Sequence, residues 1–284
     1  MASLNNLFLL LTWVLLLFML VDSSEQASLL RDDFYKDSCP DAKSVIKAAG
    51  CDASVLLDGN DTEKTAPINS NLIGYDVVDD AKQAVEAICP GVVSCSDILA
   101  YAARDSTVKL NGTGWTVQGR RRDGLFSCAD AAENELPLPT FNVSQLIESF
   151  ARRGLSKTQM VILSGSHTVG VGHCDKFIER LYNFSATHFT DPSINASYAQ
   201  QLKKDCPQAI FNTTLEIFMD TITLGEFDAN YYKVLSEHKG LFTSDQSLER
   251  RFDHRFGKAM RAMGAVGVRA EFQVRRNCRT VNPC

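Results

Sequence analysis

Histidine is the informative scarcity of this chain: five residues in all, and none before His167. Any chemistry that needs an imidazole from the N-terminal half is therefore excluded. A basic excess is missing too, with 29 Lys and Arg against 34 Asp and Glu and a net charge of −5. The one basic run, Arg120-Arg121-Arg122, meets Asp123 at once, which excludes a nucleic-acid footprint and makes the run a solvated or ion-paired loop. There is no internal repeat and no low-complexity linker. An apolar run of spanning length is also lacking. The longest, Leu7 to Val21 broken only by Thr12, is too short for a comfortable bilayer crossing and suits the core of a signal peptide, although no Lys or Arg precedes it. Residues 1 to about 25 are expected to leave as that signal, giving a secreted chain 26–284 with no membrane segment.

What is present agrees with secretion. Six Asn-X-Ser/Thr sequons stand at Asn60, Asn111, Asn142, Asn183, Asn195 and Asn212. Nine cysteines in such a chain point to disulfides, and the odd number leaves at least one thiol over. The patterning is helical. Val77, Val78, Ala81, Ala84, Val85 and Ile88 predict one apolar stripe ending at Cys89-Pro90-Gly91. Ser94 to Asp97 reads as a capping box leading into Ile98, Leu99, Ala102 and Ala103. Val143, Leu146, Ile147 and Phe150 mark a helix stopped at Gly154, and a second box, Ser156 to Gln159, starts the run into Leu163-Ser-Gly-Ser-His167-Thr168-Val-Gly170. Phe252, Phe256, Ala259, Met260 and Met263 predict a last amphipathic helix. Alternating patterns are scarce, so the class is mainly α with little β. The length suits one large domain or two lobes around a shared core.

Several stretches together resemble one family, the secretory (class III) plant haem peroxidases. They are Phe34-Tyr35 with Cys39-Pro40, Gly50-Cys-Asp-Ala-Ser-Val-Leu-Leu57, Glu63-Lys64, Cys89-Pro-Gly-Val-Val-Ser-Cys95 with Asp97, Arg121-Arg-Asp-Gly124, Leu136-Pro-Leu-Pro139 and Leu163 to Gly170. The match continues through Cys174, Arg180-Leu-Tyr-Asn-Phe184, Cys206-Pro207, Asp220 with Thr223, Phe227-Asp228 with Tyr231-Tyr232, Ser244-Asp245-Gln246 and Arg276-Asn277-Cys278-Arg279. The resemblance implies haem b between a distal lobe of about 26–140 and a proximal lobe of about 141–275. It implies His167 as axial ligand of the haem iron, with Asp245 accepting its other ring N–H and so fixing the tautomer. It implies a proximal calcium on Thr168, Asp220, Thr223 and Asp228, and a distal calcium on Gly50, Asp52, Ser54 and Glu63, the last through water. It implies disulfides Cys39–Cys89, Cys95–Cys278 and Cys174–Cys206, leaving Cys51, Cys128 and Cys284 over, and places Pro137 at the edge where aromatic donors bind. The activity implied is oxidation of phenolic donors by hydrogen peroxide, linked to lignin and wall cross-linking, peroxide removal and stress response. The expected protein is a monomer in the extracellular space, cell wall or vacuole.

The chain also departs from that pattern. Ser44-Val-Ile-Lys-Ala-Ala49 runs straight into Gly50-Cys51, where the family carries a distal helix with an arginine and a histidine, so on the order of 20 residues or more are missing. A distal calcium carboxylate and the partner of Cys51 would go with that segment. A second shortening follows Asp245-Gln246, where Ser247 to Phe252 leads quickly into the last helix, and Arg120 stands where the family usually has glycine. Two expectations follow: a haem peroxidase with impaired turnover, or a non-enzymatic secreted haem or calcium glycoprotein or truncated gene product.

Overall fold

The computed structural model describes residues 30, 32, 52–208, 215–248, 256–268 and 272–283. The expected signal peptide, Cys39, Gly50, Cys51, Phe252 and Cys284 lie outside the described residues. What is described is mainly helical, as the periodicity predicts. The α-helices are α1 (Tyr75–Ile88), α2 (Cys95–Lys109), α3 (Ala129–Glu135), α4 (Val143–Ala151), α5 (Lys157–Ser164), α6 (Ile178–Tyr182), α7 (Ala196–Asp205), α8 (Asn230–Ser236), α9 (Thr243–Gln246) and α10 (Phe256–Met263). The β content is one antiparallel pair, β1 (Val171–His173) with β2 (Glu216–Phe218), in the register Val171 to Phe218 and His173 to Glu216. Among the described residues no helix is long and apolar enough to cross a membrane.

Local chemistry sets the helix starts. Ser156 Oγ accepts from Gln159 N–H while Gln159 Oε1 accepts from Ser156 N–H at 2.8 Å, so α5 opens with a complete reciprocal box. Asn142 and Gln145 do the same for α4. At α2 the box expected from Ser94 and Asp97 is only half formed. Ser94 Oγ accepts from Asp97 N–H at 3.0 Å, but the Asp97 carboxylate turns instead to Arg121 Nη1 at 2.9 Å. The amides of Cys95 and Ser96 are taken by Asp123 at 3.1 and 2.8 Å, a buried carboxylate at the positive end of the helix dipole. The Arg120–Arg122 run is therefore ion-paired rather than solvated at its centre, since Arg121 and Asp97 are both buried.

The stripe predicted for α1 is rotated in the structure. Val78, Lys82 and Val85 are buried, whereas Val77 and Ile88 are exposed. A lysine joins the buried face because its ammonium is satisfied there: Nζ donates to Val93 O at 2.6 Å and pairs with Glu86 at 2.6 Å. Hydropathy counts Lys82 as polar and so shifts the predicted stripe around the helix.

One contiguous core joins the elements. Helix α1 packs on α2, α4 on α5, and α10 on α5, while α8 lies against the helical turn Gly165–Thr168 that continues α5. The C-terminal residues strap the N-terminal part in place. Cys278 is bonded to Cys95, 183 residues away, Asp123 N–H donates to Gln273 O at 2.7 Å, and Arg279 pairs with Asp79 at 2.6 Å. A crosslink closing so long a loop restricts the unfolded chain strongly.

Arg120 has φ +82°, in the left-handed region that glycine enters freely and other residues enter at a cost. It is held there because its N–H donates to Asp97 Oδ2 at 2.7 Å. Arg120→Gly is expected to raise unfolding stability by about 0.5–1 kcal/mol, relief of strain outweighing the extra backbone entropy of glycine. Denaturant unfolding checks this, and a loss of stability would contradict the strain argument.

Candidate active site

The turn Gly165–Thr168 carries His167 off the end of α5, and the short helix α9 brings Asp245 to meet it. Nδ1–H of His167 donates to Asp245 Oδ1 at 2.9 Å, a direction required by an ionised carboxylate that can only accept. The ring stands edge-on to Tyr231 and Phe242, with centroids 6.1 and 6.0 Å away. Its other nitrogen, Nε2, has no hydrogen-bond partner among the described residues. Burial pulls the imidazole pKa down, but the charge and hydrogen bond of Asp245 outweigh it and the net direction is up.

Both residues line a cavity of about 570 Å³ whose walls include Pro137, Leu138, Phe150, Leu163 and Phe242. The loop Leu136–Pro139 is locked to α9 because Ser244 N–H donates to Pro139 O at 3.0 Å. Once Nε2 is unprotonated, an imidazole whose Nδ1 proton is fixed by a carboxylate and whose other nitrogen meets an apolar cavity is a fitting iron ligand for a flat, hydrophobic macrocycle.

Next to His167, Thr168 is completely buried. Its Oγ1 lies 3.3 Å from Asp220 Oδ2, 3.3 Å from Asp228 Oδ1 and 3.4 Å from the Glu226 carbonyl oxygen. Thr223 Oγ1 lies 3.5 Å from the same Asp220 oxygen. A hydroxyl has one proton, so Thr168 satisfies only one of its three oxygen neighbours. Two carboxylates, two hydroxyls and a carbonyl converging in this way have the chemistry of a hard-cation nest.

The comparisons with known proteins fit this geometry. The family model described as Peroxidase matches residues 19–263. Peroxidase 5 of Vitis vinifera is 38% identical over 330 residues, covering 99% of this chain and 100% of the relative. The plant haem peroxidases are the family to which this chain belongs. Peroxidase 66 of Arabidopsis thaliana is 44% identical over 252 residues, covering 82% and 78% of the two chains. Peroxidase 27 of the same plant is 37% identical over 300 residues, covering 89% and 92%. The 330 residues aligned with the Vitis peroxidase exceed the 284 of this chain, so that relative carries segments without a counterpart here.

The second expected cation nest of this peroxidase is only partly within the described residues, because Gly50 lies outside them. Asp52, Ser54 and Glu63 are brought together: Ser54 Oγ is 2.8 Å from Asp52 Oδ1 and 3.0 Å from Glu63 Oε2. Again one hydroxyl proton faces two carboxylates. Gly124 explains its place in Arg121-Arg-Asp-Gly124: its N–H donates to Asp52 O at 2.7 Å, and a Cβ there would collide with Asp52 Oδ2. Among the described residues no group of three or more His, Cys, Asp or Glu side chains converges as a metal cluster, since each nest holds two carboxylates and fills out with hydroxyls. Cys174 is bonded to Cys206, Cys89 is also disulfide-bonded while Cys39 lies outside the described residues, and Cys128 is free.

Two site residues carry no signal readable from the sequence alone. His173 lines the same cavity from β1, opposite Glu216 at 3.8 Å. Arg275 is wholly buried against Ala53 O at 2.5 Å, and the carboxylates of Asp123, Asp52 and Glu63 surround its charge. Glu63 itself is pushed up to about 7, first by burial and then by the Asp52 charge. The folded chain therefore holds that proton more tightly than the unfolded chain, so this stabilisation is full below the ordinary value of 4.5 and disappears as pH rises through about 7. In chelator-treated buffer, unfolding stability is expected to fall by about 3 kcal/mol more for the wild type than for Glu63→Gln across that window. Equal slopes in calorimetry would contradict it.

Proposed function

We propose that this chain is a secreted haem peroxidase of the phenol-oxidising kind whose proximal half is intact and whose turnover is depressed. The observation that carries the reading is the pairing of His167 and Asp245 on the apolar cavity, in a sequence with no histidine before position 167. When bound, haem b supplies the redox chemistry by which hydrogen peroxide oxidises phenols. His167 would hold its iron through Nε2, and Asp245 would keep the proton on Nδ1, strengthening the ligand. Pro137, on the cavity wall, would meet the aromatic donor. Thr168, Asp220, Thr223 and Asp228 would hold a calcium directly beside the ligand, stiffening the turn that carries it. A distal calcium on Gly50, Asp52, Ser54 and Glu63 would lack the carboxylate expected from the missing segment. The predicted setting is extracellular or cell-wall, with the chain acting as a monomer.

Peroxide cleavage needs a base that moves a proton from one oxygen to the other and a cation that stabilises the leaving charge. A base is worth ~10²–10⁴ in rate and a preorganised electrostatic donor ~10²–10³. His167 would be committed to the iron and cannot serve as that base. A chain without the distal histidine and arginine therefore loses several powers of ten in rate. The same observation supports a second reading, a secreted haem and calcium glycoprotein with no turnover.

Expression of the full chain through a secretory host, loading with haemin and calcium, and measurement of haem absorption and guaiacol oxidation tests both readings. The expected result is a haem band that His167→Ala abolishes, with guaiacol turnover several powers of ten below Peroxidase 5. Turnover equal to that relative overturns the impaired reading, haem uptake without any turnover favours the second one, and no haem uptake overturns both. Calcium is expected to raise the melting temperature, and Asp220→Asn to abolish that rise. A calcium-insensitive wild type in calorimetry would remove the proximal cation from the proposal.

A further inference from the structure

Asp245 has two oxygens, and among the described residues only one has a hydrogen-bond partner. Oδ1 receives the His167 proton at 2.9 Å, while Oδ2 is buried with no hydrogen-bond partner among the described residues. A buried carboxylate oxygen left open is costly and demands a donor. Tyr231 is completely buried on α8, edge-on to the His167 ring at 6.1 Å, and its phenol oxygen is likewise without a hydrogen-bond partner. The neighbouring phenol does not compete, because Tyr232 donates to Val161 O at 2.6 Å. Burial first, and then the adjacent Asp245 carboxylate, hold the Tyr231 proton in place far above the ordinary phenol range.

We infer that Tyr231 is a positioning residue for the proximal pair, its phenol O–H serving Asp245 Oδ2 so that one carboxylate is shared between an imidazole N–H and a phenol O–H. These are two buried groups beside the same imidazole, one a donor and one an acceptor, each able to supply what the other lacks. The shared carboxylate is pinned at both oxygens, which fixes the plane in which His167 is held. It is also less basic than a carboxylate facing the imidazole alone, so it draws less on the Nδ1 proton and leaves the ring a weaker electron donor. The effect on iron rests on His167 being the ligand, as proposed above; the hydrogen bond itself does not.

The test separates the two. In the full chain without haem, nuclear magnetic resonance is expected to show a slowly exchanging Tyr231 phenol proton. Tyr231→Phe should shift the Asp245 carboxyl carbon resonance, and Tyr232→Phe should leave it in place. In the haemin-loaded chain, Tyr231→Phe should lower the iron reduction potential with the haem band retained, and Tyr232→Phe should not. A rapidly exchanging phenol proton in the wild type, or an unmoved Asp245 carbon in Tyr231→Phe, overturns the hydrogen bond. An unmoved potential overturns the tuning role. If Tyr231→Phe does not fold, the wild-type proton decides. Failure of the wild type to take haem overturns the ligand reading while the haem-free measurement still decides the bond.

Discussion

The 2.9 Å hydrogen bond between His167 and Asp245 is the constraint around which α5, α8, α9 and the cavity loop are arranged. It joins positions 78 residues apart, so neither the turn after α5 nor the four-residue helix α9 can hold its side chain alone. Each is braced from another direction. Ser244 N–H reaches Pro139 O, and Gln246 spans Gly240 N and Leu235 O, so α9 is tied both to the cavity loop and to the end of α8. Met160, Ile162 and Leu163 bury α5 against the core, and α10 packs across it. A short polar contact made by two short elements thus inherits its precision from the packing behind it, as preorganised sites require.

The two clusters of oxygen atoms extend the same logic to charge. In water, Asp220 and Asp228 would stay apart. Here the chain holds them toward a single threonine hydroxyl through backbone amides, Ile222 N–H on Asp220 Oδ1, the oxygen turned away from Thr168, and Asn230 N–H on Asp228 Oδ1, the oxygen that faces it, each at 2.7 Å. The backbone thereby aims oxygen atoms at one point and leaves proton donors in short supply there. At Asp52, Ser54 and Glu63 the shortage is met differently, because the guanidinium of Arg275 lies behind the pair and burial favours a proton on Glu63. The two nests have similar donor sets and different ways of tolerating their own repulsion.

Much of the fold is legible in the sequence because its causes are local. Ser94, Asn142 and Ser156 cap the amides that begin α2, α4 and α5, and a side chain within three residues decides each start. Gly154 at φ +70° follows α4 for a similarly local reason. The site is legible only in part. His167 next to Ser-Gly has no intrinsic signature, and Asp245 lies 78 residues away, so their meeting is readable through family resemblance and not through spacing. Lys82, Arg121 and Arg275 read as surface residues by charge, yet each is buried because a carbonyl or carboxylate from a distant segment receives it. Tyr231 and His173 read as ordinary core residues, since what matters about them is which polar atom the tertiary structure places alongside.

The C-terminal strap explains how the segment from Asp52 to Asp123 keeps its shape. Residues 272–283 supply Cys278 to Cys95, Arg275 to Ala53 and Asp123, Arg279 to Asp79, and a carbonyl to Asp58 N–H. Asp123 is the hinge of this arrangement: its carboxylate receives the first two amides of α2 and the Arg275 amide, and its own N–H donates to Gln273. The strap therefore fastens the start of α2, the Ser54–Leu56 turn and the Glu63 nest without any contribution from an imidazole. The side chains that do this fastening are cysteine, arginine and aspartate. This part of the fold is therefore held without any histidine before position 167.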